Sequence, residues 1–183
     1  MNIQAQIIKF YALLYLGFSG CNSTNTLDKV DEFVLYQTIE LYDSTSGSIK
    51  LNPVIDRIIS IPANQSLEKK IKILLDSISK NNFNNLRIET LRIDESQNGY
   101  KSLKINLKEN PGFIIPDSLG KNRSWYDFFQ GSSGGEHTTI ILTESIFQRQ
   151  YYGDWIDEVE FYYQDEKMGE WDHISLSGII KRN

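Results

Sequence analysis

One cysteine, Cys21, occurs in 183 residues. An intrachain disulfide is thereby excluded, and so is a cysteine-rich metal centre. Histidine is almost as scarce: His137 and His173 alone leave too little material for a zinc site. No cluster of Lys and Arg exceeds two or three residues. The 19 basic residues are outnumbered by 24 acidic ones, a formal charge of −5. Neither the basic footprint of a nucleic-acid binder nor a basic patch for anionic headgroups is present. No apolar run approaches the about 20 residues that cross a bilayer. What remains is an ordinary composition, 40% hydrophobic and 23% charged, long enough for one domain with a single core.

The first twenty-one residues have a layout of their own. Met1–Lys9 carries one positive charge and no negative one, Phe10–Phe18 is a continuous apolar run, and Ser19-Gly20-Cys21 follows. A basic start, a short apolar core and small residues at a cut make a secretory signal over residues 1–20. Without those residues, whose one charge is Lys9, the chain is at −6 (−5 less one). Phe18-Ser19-Gly20-Cys21 resembles the lipobox of bacterial lipoproteins, with Phe18 where Leu is usual. The resemblance implies that Cys21 becomes the first mature residue and carries acyl chains, each buried CH₂ adding about 0.8 kcal/mol of membrane affinity. The chain would then be membrane-anchored and extracytoplasmic in a bacterial cell envelope. Residues 22–32, rich in Asn, Ser and Thr, read as a tether.

Residues 33–183 read as one α/β domain. Phe33–Tyr42 is β-branched and aromatic, a turn cluster covers Asp43–Ser48, and a second strand is expected over Arg57–Ile61. Ser66 caps the clearest helix, in which Leu67, Ile71, Leu74, Leu75 and Ile78 fall on one face. Leu86–Ile93 is a strand whose apolar parity shifts near Thr90, predicting a bulge. Asn98-Gly99 is a hairpin turn leading to a strand with Leu103, Ile105 and Leu107 inward and Lys104, Asn106 and Lys108 outward. After a long loop, Glu109–Ser124, comes the aromatic run Trp125–Phe129. A second helix is expected over Glu136–Tyr152, then a core strand carrying Val159, Phe161 and Tyr163, and a short closing strand over Ile174–Ile180. The order is roughly β-α-β-β-α-β, an α+β sandwich with two helices on one mixed sheet.

The helix Ser66–Lys80, the hairpin Leu86–Leu107, the loop Gly131–Glu136, the helix Thr138–Phe147 and the strand Val159–Tyr163 together resemble the GerMN domain of bacterial envelope lipoproteins. The likeness spans about residues 62–180. Its characteristic stretch, a Gly/Ser loop with an acid and then a helix with a Thr and often a Gln, is matched here by Thr143 and Gln148, with Gly178 as a following Gly. The resemblance implies a non-catalytic domain that associates with envelope proteins or with itself. It supplies no catalytic residues and no cofactor.

Other patterns compete. Gly131-Ser132-Ser133-Gly134-Gly135 satisfies G-x-S-x-G, and Asp154, Asp157, Asp165 or Asp172 and then His173 follow in the order of an α/β-hydrolase. A secreted serine hydrolase would use Ser133 and His173. Against it, only one helix precedes the serine, and Ser133 with Glu136 makes a capping box for the second helix. A phosphate cradle at the same loop would lack any Lys or Arg and would face Glu136. Asp157, Glu158, Glu160, Asp165 and Glu166 suit a solvated strand face and a turn better than a Ca²⁺ or glycosidase site. Finally, Trp125, Tyr126, Phe128, Phe129, Tyr151, Tyr152, Trp155 and Trp171 crowd into fewer than fifty residues; most suit the core, and in a domain this size some must stay exposed. Trp125, Tyr126, Phe129 and Trp155 are candidate interface residues, for a protein partner or for a surface glycan or peptide.

Overall fold

A computed structural model describes residues 29–113 and 124–182. Residues 1–20, read above as a secretory signal, Cys21 and most of the segment read as a tether lie outside the described residues. The fold is α+β, with three helices and two sheets among the described residues.

The first sheet is a long hairpin. Strand β1 (Val30–Asp43) pairs antiparallel with β2 (Ser48–Pro62) along its whole length. β1 thus begins inside the segment read as tether, and β2 starts nine residues before the expected Arg57. Asp56 has no partner in the ladder, since Leu35 faces Arg57 and Tyr36 faces Ile55. That bulge moves the β2 parity by one.

Helix α1 (Leu67–Asn82) buries Ile71, Leu74, Leu75 and Ile78, the face its periodicity marks, and the Ser66 hydroxyl accepts from the Lys69 amide. Asn84 and Asn85 turn the chain in the left-handed region, where Asn is tolerated best after Gly. Strands β3 (Arg87–Glu95) and β4 (Lys101–Lys108) form the expected hairpin. Its ladder shifts between Thr90 and Arg92, and Gly99 takes φ 80° in the turn. β4 continues parallel to β5 (Glu158–Tyr163), whose far edge is shared by β6 (Glu166–Lys167) and β7 (Ile179–Lys181). The closing strand is therefore shorter and later than Ile174–Ile180.

Two helices connect β4 to β5. The run Trp125–Phe129 is helix α2, capped by the Ser124 hydroxyl on the Asp127 amide. Helix α3 spans Ser132–Phe147, starting and ending about four residues earlier than the sequence suggests. Its N-cap is Gly131, without a side-chain bond, so the Ser133/Glu136 capping box is not formed. Gly134 and Gly135 lie inside the helix. At Gly135 the glycine is needed for close approach, because a methyl there would sit 2.7 Å from the carbonyl carbon of His173. The helix stops where Gln148 turns left-handed at φ 48°.

The core lies between α1, α3, the base of the hairpin and one face of the five-stranded sheet, where Leu103, Ile105, Leu107, Val159 and Phe161 are all buried. The opposite face is an ion-paired lattice. Lys104 reaches Asp94 and Glu160, Lys167 reaches Glu160 at 2.7 Å, and Asp165 and Asn106 exchange bonds of 2.8 and 3.1 Å. Asn106, expected outward and wet, is on that face yet fully buried by its neighbours. The Arg182 guanidinium donates to the carbonyls of Gln148, which caps α3, and of Tyr151 in the turn that follows.

Candidate functional site

The aromatic candidates divide sharply. Trp125 is fully buried against Phe83 (4.8 Å between centroids), with its indole nitrogen on the Arg87 carbonyl. Phe129 is packed against Tyr163 and Trp171, and Trp155 against Phe33 and Tyr151, its indole donating to the Ile146 carbonyl at 2.8 Å. These three are core rather than interface. Large rings fill the gaps between the helices, the hairpin and the sheet. Of the four, Tyr126 alone keeps partial exposure, at the rim beside Trp171.

The serine candidate lacks its setting. Ser133 is exposed in the first turn of α3, and α2 stands where a nucleophile elbow needs a strand. His173 is exposed, and neither side chain hydrogen-bonds to a described residue. No carboxylate among the described residues orients the imidazole. Among those residues, too, no three His, Cys, Asp or Glu side chains gather as a metal would require.

Sequence reasoning overlooked Glu109. It is 4% exposed, and its two carboxylate oxygens accept from the amides of Trp125 (3.0 Å) and Tyr126 (2.8 Å) and from the Tyr163 hydroxyl (3.0 Å). One carboxylate thus fastens the end of β4 to the first turn of α2. Burial, and then the Glu109 charge, push the Tyr163 phenol up. No periodicity marks such a residue, because its partners are mostly backbone amides distant in sequence.

A groove of about 840 Å³ lies between α1 and β3. Its lining charges are evenly mixed, with Lys72 paired to Asp76, Arg87 paired to Glu89, and Glu68 and Lys80 beside them, a poor match for a ligand of one sign.

The hairpin is different. Of eleven exposed large hydrophobic residues among those described, seven sit on β1 or β2. The Asp56 bulge brings Ile55 and Ile58 to one face, so Val34/Ile58, Tyr36/Ile55, Thr38/Pro53, Glu40/Leu51 and Tyr42/Ile49 form successive rows there. Near the base this face joins Tyr152, fully exposed, around a cleft of about 320 Å³.

Both edges of the hairpin are blunted. The Gln148 side chain accepts from the Val34 amide and donates to the Val34 carbonyl, both at 2.7 Å, as a neighbouring strand would. Ser145 Oγ accepts from the Tyr36 amide, Asn82 Nδ2 donates to the Tyr36 carbonyl, and Thr38 meets His137. On β2, Pro53 pairs with Thr38 in a row whose backbone groups point outward, and it brings no N–H to the free edge. The hairpin therefore offers an apolar face and discourages strand addition.

No helix of the described residues is long and apolar enough to cross a membrane. Comparison with family models, with curated proteins and with solved structures finds nothing that matches this chain.

Proposed function

We propose that this chain is a bacterial envelope lipoprotein, held at the membrane through acylated Cys21, whose non-catalytic, GerMN-like domain binds protein. The carrying observation is the apolar face of the β1–β2 hairpin, since exposed contiguous apolar surface on a folded domain marks an interaction site. The order of α1, β3, β4, α3 and β5 agrees with the GerMN resemblance, and Gln148, one of its marker residues, holds the hairpin in place. The unfavourable setting of Ser133 supports a binding role over a hydrolytic one.

Three measurements test this reading. Labelled palmitate should enter the protein and should not enter the Cys21→Ser variant; equal labelling of both removes the anchor. Capture of envelope proteins should fall in an Ile55→Thr/Ile58→Thr variant, which keeps the β-branched strand residues and removes the apolar ends. Hydrolysis of short p-nitrophenyl esters should not exceed background; turnover abolished by Ser133→Ala would replace the reading with a hydrolase.

A further inference from the structure

We infer that the partner of the hairpin face is a second copy of this chain, stacked antiparallel on the first about a twofold axis at the Thr38/Pro53 row. The inference names a partner for the binding surface proposed above and rests on that reading only in using the same face.

Three alternatives to a stacked protein fit poorly. Strand addition meets the Gln148, Ser145 and Asn82 side chains on one edge and Pro53 on the other. Insertion into lipid would need an apolar hairpin tip, and the tip is Asp43-Ser44-Thr45-Ser46-Gly47-Ser48. A basic ligand would need more acid than the Glu32 and Glu40 carboxylates, which are the charges in the rows of this face.

Self-pairing fits row by row. Both ends of the stripe are strongly exposed, Tyr42 70% and Ile49 64% at the tip and Ile58 55% and Tyr152 100% at the base. The middle row is Thr38 and Pro53, with no long apolar side chain. A twofold axis through that row lays the tip row of one copy on the base row of the other. It sets Leu51 against Ile55 and keeps the Glu40 carboxylates of the two copies in different rows. Such an isologous contact closes on itself and leaves no surface for growth into a filament. The exposed parts of Tyr42, Ile49, Ile55, Ile58 and Tyr152 amount to roughly 700 Å² per copy, against about 800 Å² per partner in a standard interface. A two-stranded ribbon is marginal alone in water, and the half beyond α3 gains cover only in the pair.

The test uses the full-length chain in mild detergent. Sedimentation should show a concentration-dependent dimer whose apparent Kd rises at least about tenfold in the Ile55→Thr/Ile58→Thr variant. Circular dichroism and the melting midpoint should stay unchanged in that variant, since none of the core residues is touched. Association should tighten with salt, because two copies of like net charge repel. Mixing Ile49→Cys chains with Ile58→Cys chains should give an inter-copy disulfide that Ile49→Cys alone does not, with the parent chain and its Cys21 as control. A monomer at every concentration, a dimer indifferent to the threonine variant, weakening by salt, or a 49–49 crosslink would each overturn the inference. A monomer that still captures an envelope protein through this face overturns self-pairing and leaves the proposed function standing.

Discussion

Replacing Glu109 by Gln should destabilise the domain by about 2 kcal/mol, and replacing it by Ala by about 4 kcal/mol. The difference follows from the three donors that converge on its carboxylate. A glutamine oxygen placed like Oε1 still accepts from the Tyr126 amide and the Tyr163 hydroxyl. Its NH₂ group then confronts the Trp125 amide, donor against donor, inside a site only 4% exposed. One buried donor left open costs about 1–3 kcal/mol. Alanine orphans all three and frees the first turn of α2. In urea the Gln variant should lower the unfolding midpoint by about 1 M with its slope unchanged, because the surface exposed on unfolding is the same. Hydrogen exchange at the Trp125 and Tyr126 amides should rise ahead of exchange in β4. Tyr163→Phe should cost about 1 kcal/mol alone and less than that on top of Glu109→Ala, since the shared bond is already gone. A Gln variant with the parent midpoint, or full additivity with Tyr163→Phe, would refute the claim that this carboxylate fastens α2 to the sheet.

Four further outcomes are expected. Asp31, held below its usual value chiefly by its bond to Lys70, stabilises the fold above the ordinary carboxylate range, and that contribution is lost as pH falls through its lowered value. Lys70→Met should flatten the acid limb of the stability profile. Tyr151, pushed up to about 12 by burial and then by its bond to Asp31, contributes stability that is complete below its ordinary value near 10 and lost as pH rises towards 12, a decline that Tyr151→Phe should remove. Gln148→Leu should cost about 2 kcal/mol and raise hydrogen exchange at the Val34 amide; unchanged exchange there would mean the hairpin edge is not sealed as described. Gly135→Ala should cost about 1–3 kcal/mol by driving a methyl into the His173 backbone, read as a lower melting midpoint; an unchanged midpoint would show that the 171–176 segment yields freely.

What could be read from the sequence was the part governed by local periodicity. The α1 face, the Asn98-Gly99 turn and the Thr90 bulge depend on neighbours a few residues away, and they stand as read. The long β2 was obscured because Pro53 and the polar residues around it look like a break, whereas an edge strand tolerates proline wherever its N–H would face outward. The start of α3 was misplaced because Gly134 and Gly135 look like a turn, and their use is to admit the His173 segment from about forty residues later. Its end was misplaced because Gln148 leaves the helix to serve β1, 114 residues away. Trp125, Phe129 and Trp155 were offered as interface since composition cannot tell a filled gap from a sticky surface. The apolar rows of the hairpin became one face only through the unpaired Asp56, a shift of one residue that no local pattern announces.

The Arg182 contacts tie three distant segments into one unit. Its guanidinium holds the Gln148 and Tyr151 carbonyls, its own amide donates to the Asp157 carbonyl at 2.8 Å, and β7 beside it pairs with β5. Removing residues 179–182 would strip one edge of β5 of its ladder and take the cation from the turn after α3. A cut of four residues there would be felt in the middle of the sheet.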